Sequence, residues 1–137
     1  MTSRTILLKQ LTVVTLLGAA VACGGGYSSP TSPGSGGGSP GPIGATITIG
    51  ANDTVSPATV TINAGESVNF VNNGTRVHEM TSDPHPTHTD CPAINAAGSL
   101  SVGQSRPTNA LTTSRSCGYH DHREDTNGNL RGTIVIR

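Results

Sequence analysis

Tryptophan is absent from this sequence, and Tyr27, Phe70 and Tyr119 are its only Phe or Tyr residues. Any core must therefore be built mainly from aliphatic side chains. Net charge is missing too: eight Lys and Arg balance eight Asp and Glu. Without a basic stripe, a nucleic-acid partner has no electrostatic footing. No segment sustains the 3.6-residue apolar period of a long helix, and only Ala93 to Leu100 has room for a short helical turn. No amphipathic basic helix marks a membrane-surface binder. No Ser-His-Asp set or pair of carboxylates stands out, so the reading is not that of an enzyme. Internal repeats are lacking as well.

What is present begins with an address. Arg4 and Lys9 give a short positive region, an apolar run from Leu11 to Leu17 follows, and Gly18, Ala19, Ala20 and Ala22 are small. This is the grammar of a signal peptide, and the run is too short for a comfortable membrane span. Ala20-Val21-Ala22-Cys23 resembles a bacterial lipobox, with Ala20 where Leu is more usual. The resemblance implies cleavage after residue 22 and lipidation of Cys23; the alternative is plain secretion with a free Cys23 thiol. An acyl chain contributes roughly 0.8 kcal/mol per buried methylene, and a stable anchor needs two such signals. The expected location is the cell envelope, lipid-anchored on the periplasmic face or the cell surface. Residues 24–44 are Gly, Ser and Pro apart from Tyr27, Thr31 and Ile43. That composition cannot offset its ordering entropy and reads as a disordered tether from 23 to 44.

From Ala45 to Arg137 the texture is that of one β domain. Thr46-Ile47-Thr48-Ile49 and Thr59-Val60-Thr61-Ile62 alternate polar and apolar residues. Val68 and Phe70 alternate with Ser67 and Asn69, and Thr133-Ile134-Val135-Ile136 is β-branched throughout. Period-two runs bounded by Gly, Asn and Pro predict strands, and several at short spacing predict a sandwich or barrel. Further strands are expected near Ser99 to Val102 and Asn109 to Thr113. The span from 81 to 131 is otherwise irregular, which in a small domain points to function.

That span holds four of the five His, namely His85, His88, His120 and His122, together with Cys91 and Cys117. His78 stands apart, after the turn Asn72-Asn73-Gly74-Thr75. Cys117-Gly118-Tyr119-His120 places a thiol and an imidazole three residues apart. Two His and one thiolate form the trigonal ligand set of blue-copper centres. Two cysteines in an oxidising compartment equally suit a disulfide, which would leave Cys117 unable to ligate. His85 and His88, in a Pro-rich stretch, read as surface residues.

The order Val60 to Gly74, then His78, then Cys117 to His120, then Gly132 to Ile136 resembles the plastocyanin/azurin, or cupredoxin, family. The resemblance covers essentially all of residues 45–137. It implies an eight-stranded Greek-key β-sandwich, bound copper held by His78, Cys117 and His120, and electron transfer to a redox partner protein by a monomeric domain. It also marks two departures. Leu130 stands where the family has an axial Met, so the axial or outer positions fall to Leu130, His122 or Asp125, with Glu124 as another oxygen source. Cys91 is a second cysteine where the simplest members have one. Two other readings follow from these departures. One is a copper or zinc module without electron transfer, using His78, His120 and His122. The other is a metal-free sandwich stapled by Cys91 and Cys117 and used for interactions.

Overall fold

The computed structural model describes residues 38–137. The signal peptide, Cys23 and most of the tether lie outside the described residues.

Nine strands make two sheets: β1 (Ile43–Ile49), β2 (Val55–Ser56), β3 (Thr59–Ile62), β4 (Ser67–Asn72), β5 (His78–Ser82), β6 (Gly98–Leu100), β7 (Ser105–Pro107), β8 (Ser116–Asp121) and β9 (Arg131–Ile136). One sheet runs β2-β1-β4-β7 and the other β3-β9-β8-β5-β6. The pairs β1–β4 and β3–β9 are parallel, and the rest are antiparallel. Among the described residues there is no α-helix, only 3₁₀ turns at Pro92–Ala96, His122–Glu124 and Gly128–Leu130. None is long and apolar enough to cross a membrane. The chain is thus an all-β sandwich, as its alternating segments predict.

The alternation becomes the core directly. In β3, Val60 and Ile62 are buried while Thr59 and Thr61 are exposed. Ile47, Ile49, Val68 and Phe70 from one sheet join Met80, Leu100, Tyr119 and Ile134 from the other. The two largest rings meet between the sheets: Phe70 and Tyr119 stack edge-to-face with centroids 5.3 Å apart. The Tyr119 hydroxyl donates to the Ala58 carbonyl at 3.2 Å, and burial pushes the phenol pKa well up.

Gly132 pairs with Tyr119 across β8 and β9. A Cβ there would land on the Ala58 carbonyl oxygen and the Tyr119 hydroxyl. Gly132→Ala is therefore expected to destabilise the domain by about 1–3 kcal/mol, through displaced backbone and a disturbed Tyr119. Urea unfolding would measure this, and an unchanged midpoint would refute the close approach.

Four features differ from the sequence expectation. Strand β1 begins at Ile43 rather than Ala45, because the preceding residues are tied in: the Gly41 amide donates to Ser67 Oγ at 2.8 Å and the Ser67 amide to the Pro42 carbonyl at 2.8 Å. Asn109 to Thr113 is not a strand and keeps only a single bridge between Glu66 and Leu111. Its place at the sheet edge is taken by β7, where Pro107 is tolerated because an edge strand needs no second ladder partner. Strands β5 and β8 are the third difference. Most of their residues are buried on both faces, so polarity does not alternate along them. Last, the short helical turn spans Pro92–Ala96, and the strand expected near Ser99 to Val102 is present as β6 with shifted bounds, Gly98–Leu100.

Candidate metal centre

The register of β5 against β8 decides which histidines can meet. Met80 lies opposite Asp121, Thr81 opposite His120, and Ser82 opposite Tyr119. Directly paired residues share a face, and the face alternates along each strand. His78, two residues from Met80, therefore points inward with Asp121 and Tyr119, whereas His120 points to the outside of the sheet.

This overturns the set His78, Cys117 and His120. The Cys117 sulfur is bonded to Cys91 with the Cα atoms 5.9 Å apart, so it offers no thiolate. His78 is buried, and its Nδ1 is 2.6 Å from Asp121 Oδ2. A carboxylate only accepts, so Nδ1 carries the proton. Its Nε2 is buried without a hydrogen-bond partner, 3.6 Å from Asp53 Oδ1. Asp121 does more than hold His78. Its Oδ1 accepts from the Glu79 amide at 2.9 Å and from the Arg123 amide at 3.1 Å, which caps the turn His122–Glu124. Leu130 is buried in the hydrophobic core, and its side chain carries no donor atom for a metal. Glu124 pairs with Arg76 at 3.0 Å.

The outer face of the same sheet carries a different constellation. The ligand atoms of His85, His88, His120 and His122 all lie within 4.8 Å of one another. His120 projects from β8 and is buried beneath the loop that follows β5. Its Nδ1 is 2.6 Å from Asp83 Oδ1, so the proton sits on Nδ1 and the Nε2 lone pair is turned toward the other rings. The Thr81 hydroxyl lies 3.4 Å from that Nε2. Gly118 makes this contact possible, since a Cβ on it would overlap the Asp83 carboxylate. His122 Nδ1 faces His88 Nε2 at 3.2 Å. His85 lies at the exposed rim, its Nε2 3.6 Å from Asp125 Oδ2.

The loop that supplies His85 and His88 is folded back on itself. The His88 amide donates to the Pro84 carbonyl at 2.8 Å, the Asp90 amide to the Asp83 carbonyl at 2.9 Å, and the Asp83 amide to the Gly118 carbonyl at 3.0 Å. Asn95 Nδ2 donates to the His88 carbonyl at 2.9 Å. His88 itself has φ of 52°, a left-handed conformation that side chains other than glycine seldom adopt. Such strain persists where surrounding contacts fix it. The His88 imidazole pKa is lowered, first by desolvation and then by the proximity of His122, His120 and His85, against a smaller opposing pull from Glu79. The neutral ring is the form that ligates a metal.

Four imidazoles make a nitrogen donor set suited to copper, zinc, nickel or iron. A carboxylate on the far nitrogen of His120 is the usual outer support of a ligating histidine. The donor set thus fits a transition-metal ion, and it lacks the thiolate of a blue-copper centre. Of the residues the sequence singles out, His120 and His122 belong here and Asp125 borders it. His85 and His88, which the sequence suggests are surface residues, are brought into this cluster. The spacing His-x-x-His at 85 and 88 with His-x-His at 120 and 122 was the available signal.

No family model and no curated protein matches the chain. Solved structures do. A purple cupredoxin from Nitrosopumilus maritimus aligns with TM-score 0.53 at 15% identity, over 68% of this chain and 99% of that one. Oxidised plastocyanin from Dryopteris crassirhizoma aligns with TM-score 0.53 at 20% identity, over 67% of this chain and 99% of that one. A Cu(I) amicyanin mutant aligns with TM-score 0.50 at 14% identity, over 69% of this chain and 82% of that one. Similarity at these identities speaks to the backbone and not to the ligands, and it gives the sandwich a cupredoxin fold.

Proposed function

We propose that this domain is a copper-binding module of the cell envelope, with the ion held by His85, His88, His120 and His122 on the outer face of the β3-β9-β8-β5-β6 sheet. The convergence of four ring nitrogens within 4.8 Å carries this reading. Copper is favoured over zinc because nitrogen donors bind Cu(II) more tightly in the divalent series, and because an amicyanin of the same fold holds Cu(I). Asp83 orients His120 so that its Nε2 lone pair is available to the ion.

Titration with Cu(II) tests this. One equivalent is expected to bind and to give nitrogen-dominated magnetic resonance with only weak visible absorption. An intense visible band would mean a copper–thiolate bond and would refute the four-histidine site. Asp83→Asn is expected to weaken Cu(II) binding about 10–100-fold, the usual effect of losing a carboxylate behind a ligating histidine. An unchanged affinity would remove Asp83 from the site.

Electron transfer to a partner protein is the second reading, favoured by the cupredoxin fold and by the exposed rim at His85. It requires the same imidazole set to hold both copper states in turn. Reversible voltammetry of the copper-loaded domain separates it from simple binding or carriage.

Tethering through lipidated Cys23 completes the proposal, motivated by the small residues before it and the Gly/Ser/Pro stretch after it. Cys23→Ser is expected to move the protein from the membrane to the soluble fraction. A variant that stays membrane-bound would refute the anchor.

A further inference from the structure

The Cys91–Cys117 disulfide is not a ligand, but its position bears on the ligands. Cys91 ends the loop that carries His85 and His88, and Cys117 lies on β8 three residues before His120. The loop therefore touches β8 at two places. At its start, Asp83 lies over Gly118 and bonds His120. At its end, Cys91 is covalently joined to Cys117. His85 and His88 lie on the span between those fastenings, and His120 and His122 come from β8 and the turn after it. Apart from the disulfide, the far end is held without covalent bonds: the Asp90 amide donates to the Asp83 carbonyl at 2.9 Å, Asn95 Nδ2 to the His88 carbonyl at 2.9 Å and the Cys91 amide to Ser82 Oγ at 2.7 Å, and Arg115 pairs with Asp90. Both sulfurs are shielded, with Cys91 6% and Cys117 0% exposed, so the bond is placed to endure once formed.

We propose that the Cys91–Cys117 disulfide is the latch that assembles the four-histidine site, so that the chain takes up its metal only after this bond has formed. This rests on the metal-binding reading above. Disulfides form in oxidising compartments and not in the reducing cytoplasm. A chain awaiting export would then hold His120 and His122 on β8 and its turn, while His85 and His88 remained on a loop fastened by hydrogen bonds and an ion pair alone. The competent arrangement would be a minority state, and apparent affinity falls in proportion to its population. Linkage is reciprocal: whatever the disulfide does for metal binding, the metal does for the disulfide. Reduction by an external dithiol would convert the bond to two thiols and the reductant to its own disulfide, loosening the loop in the same step.

The test compares the full chain with its Cys91→Ala/Cys117→Ala double variant, both carrying Cys23→Ser so that no thiol competes for metal. Circular dichroism reports the β fold, and Cu(II) affinity is read by competition with a chelator. A folded variant that binds at least about tenfold more weakly supports the latch. A folded variant that binds as tightly as the parent overturns it. Should the variant fail to fold, the parent answers instead. The equilibrium reduction of its disulfide in a glutathione redox buffer is measured with and without one equivalent of Zn(II), a redox-inert occupant of the same nitrogens. A bond that needs a more reducing buffer when metal is present supports the coupling, and an unchanged midpoint overturns it. If the oxidised parent binds neither metal, the site reading itself fails and the latch falls with it. If the parent binds and only the coupling is missing, the site stands alone.

Discussion

His120→Ala is expected to lower Cu(II) affinity by at least about 100-fold, whereas His78→Gln should leave it essentially unchanged. His120 is the buried member of the four-ring cluster, and its orientation is set by the 2.6 Å contact with Asp83. Removing it takes away a ligand and also its outer support, and loss of the support alone is worth about 10–100-fold. His78 points into the sandwich on the opposite face of the same sheet, so its ring does not join the cluster. Glutamine keeps an N–H for Asp121 and so preserves much of the local structure. Chelator competition on both folded variants makes the comparison. The reverse outcome, binding lost with His78→Gln and kept with His120→Ala, would return the metal to the interior face and refute the site described above.

Asp121→Ala is expected to produce the largest loss of stability. Asp121 is fully buried and supports three groups: the His78 ring, the Glu79 amide and the Arg123 amide. Its removal leaves the His78 Nδ1–H unpaired in the interior and uncaps the turn that carries His122. Leaving a buried polar partner unsatisfied costs about 1–3 kcal/mol, and more when the partner is charged. A total of about 3 kcal/mol corresponds to a fall in Tm on the order of 15 °C for a domain of this size. Calorimetry of the apo domain would show it. A variant within a few degrees of the parent would mean that the turn and His78 hold themselves in place. Because His122 follows Asp121 directly, Cu(II) binding is expected to weaken as well, so metal affinity in Asp121→Ala falls for a structural reason and not through a lost ligand.

Much of this molecule was legible in its residues. Alternation at Thr46 to Ile49, Thr59 to Ile62 and Ser67 to Phe70 fixes strands because the side-chain period of a strand is two, and a half-buried strand writes that period into its polarity. The cupredoxin fold was implied by a resemblance, that of Val60 to Gly74, His78, Cys117 to His120 and Gly132 to Ile136 to the family, and not by the alternation. Strands β5 and β8 were not legible, because strands buried on both faces lose the alternation that would announce them. Strand β8 carries His120, and the segments that follow β5 and β8 carry the other three histidines of the cluster.

The ligand set depended on a quantity that no linear spacing contains. His78 and His120 are equally plausible ligands in one dimension, and Cys117-x-x-His120 is a plausible pair. Pairing Met80 with Asp121 sends His78 inward, while pairing Thr81 with His120 sends that ring outward, and a shift of one residue between the strands would have put both rings on one face. The two cysteines left thiolate and disulfide both open, and only the approach of the Pro92 turn to β8 closed the question. Sequence by itself determined the donor types, the imidazole-rich composition and the sandwich. Tertiary structure alone decided which donors share a face, because register is set by how the two sheets bury their apolar sides and not by the residues that later hold a metal.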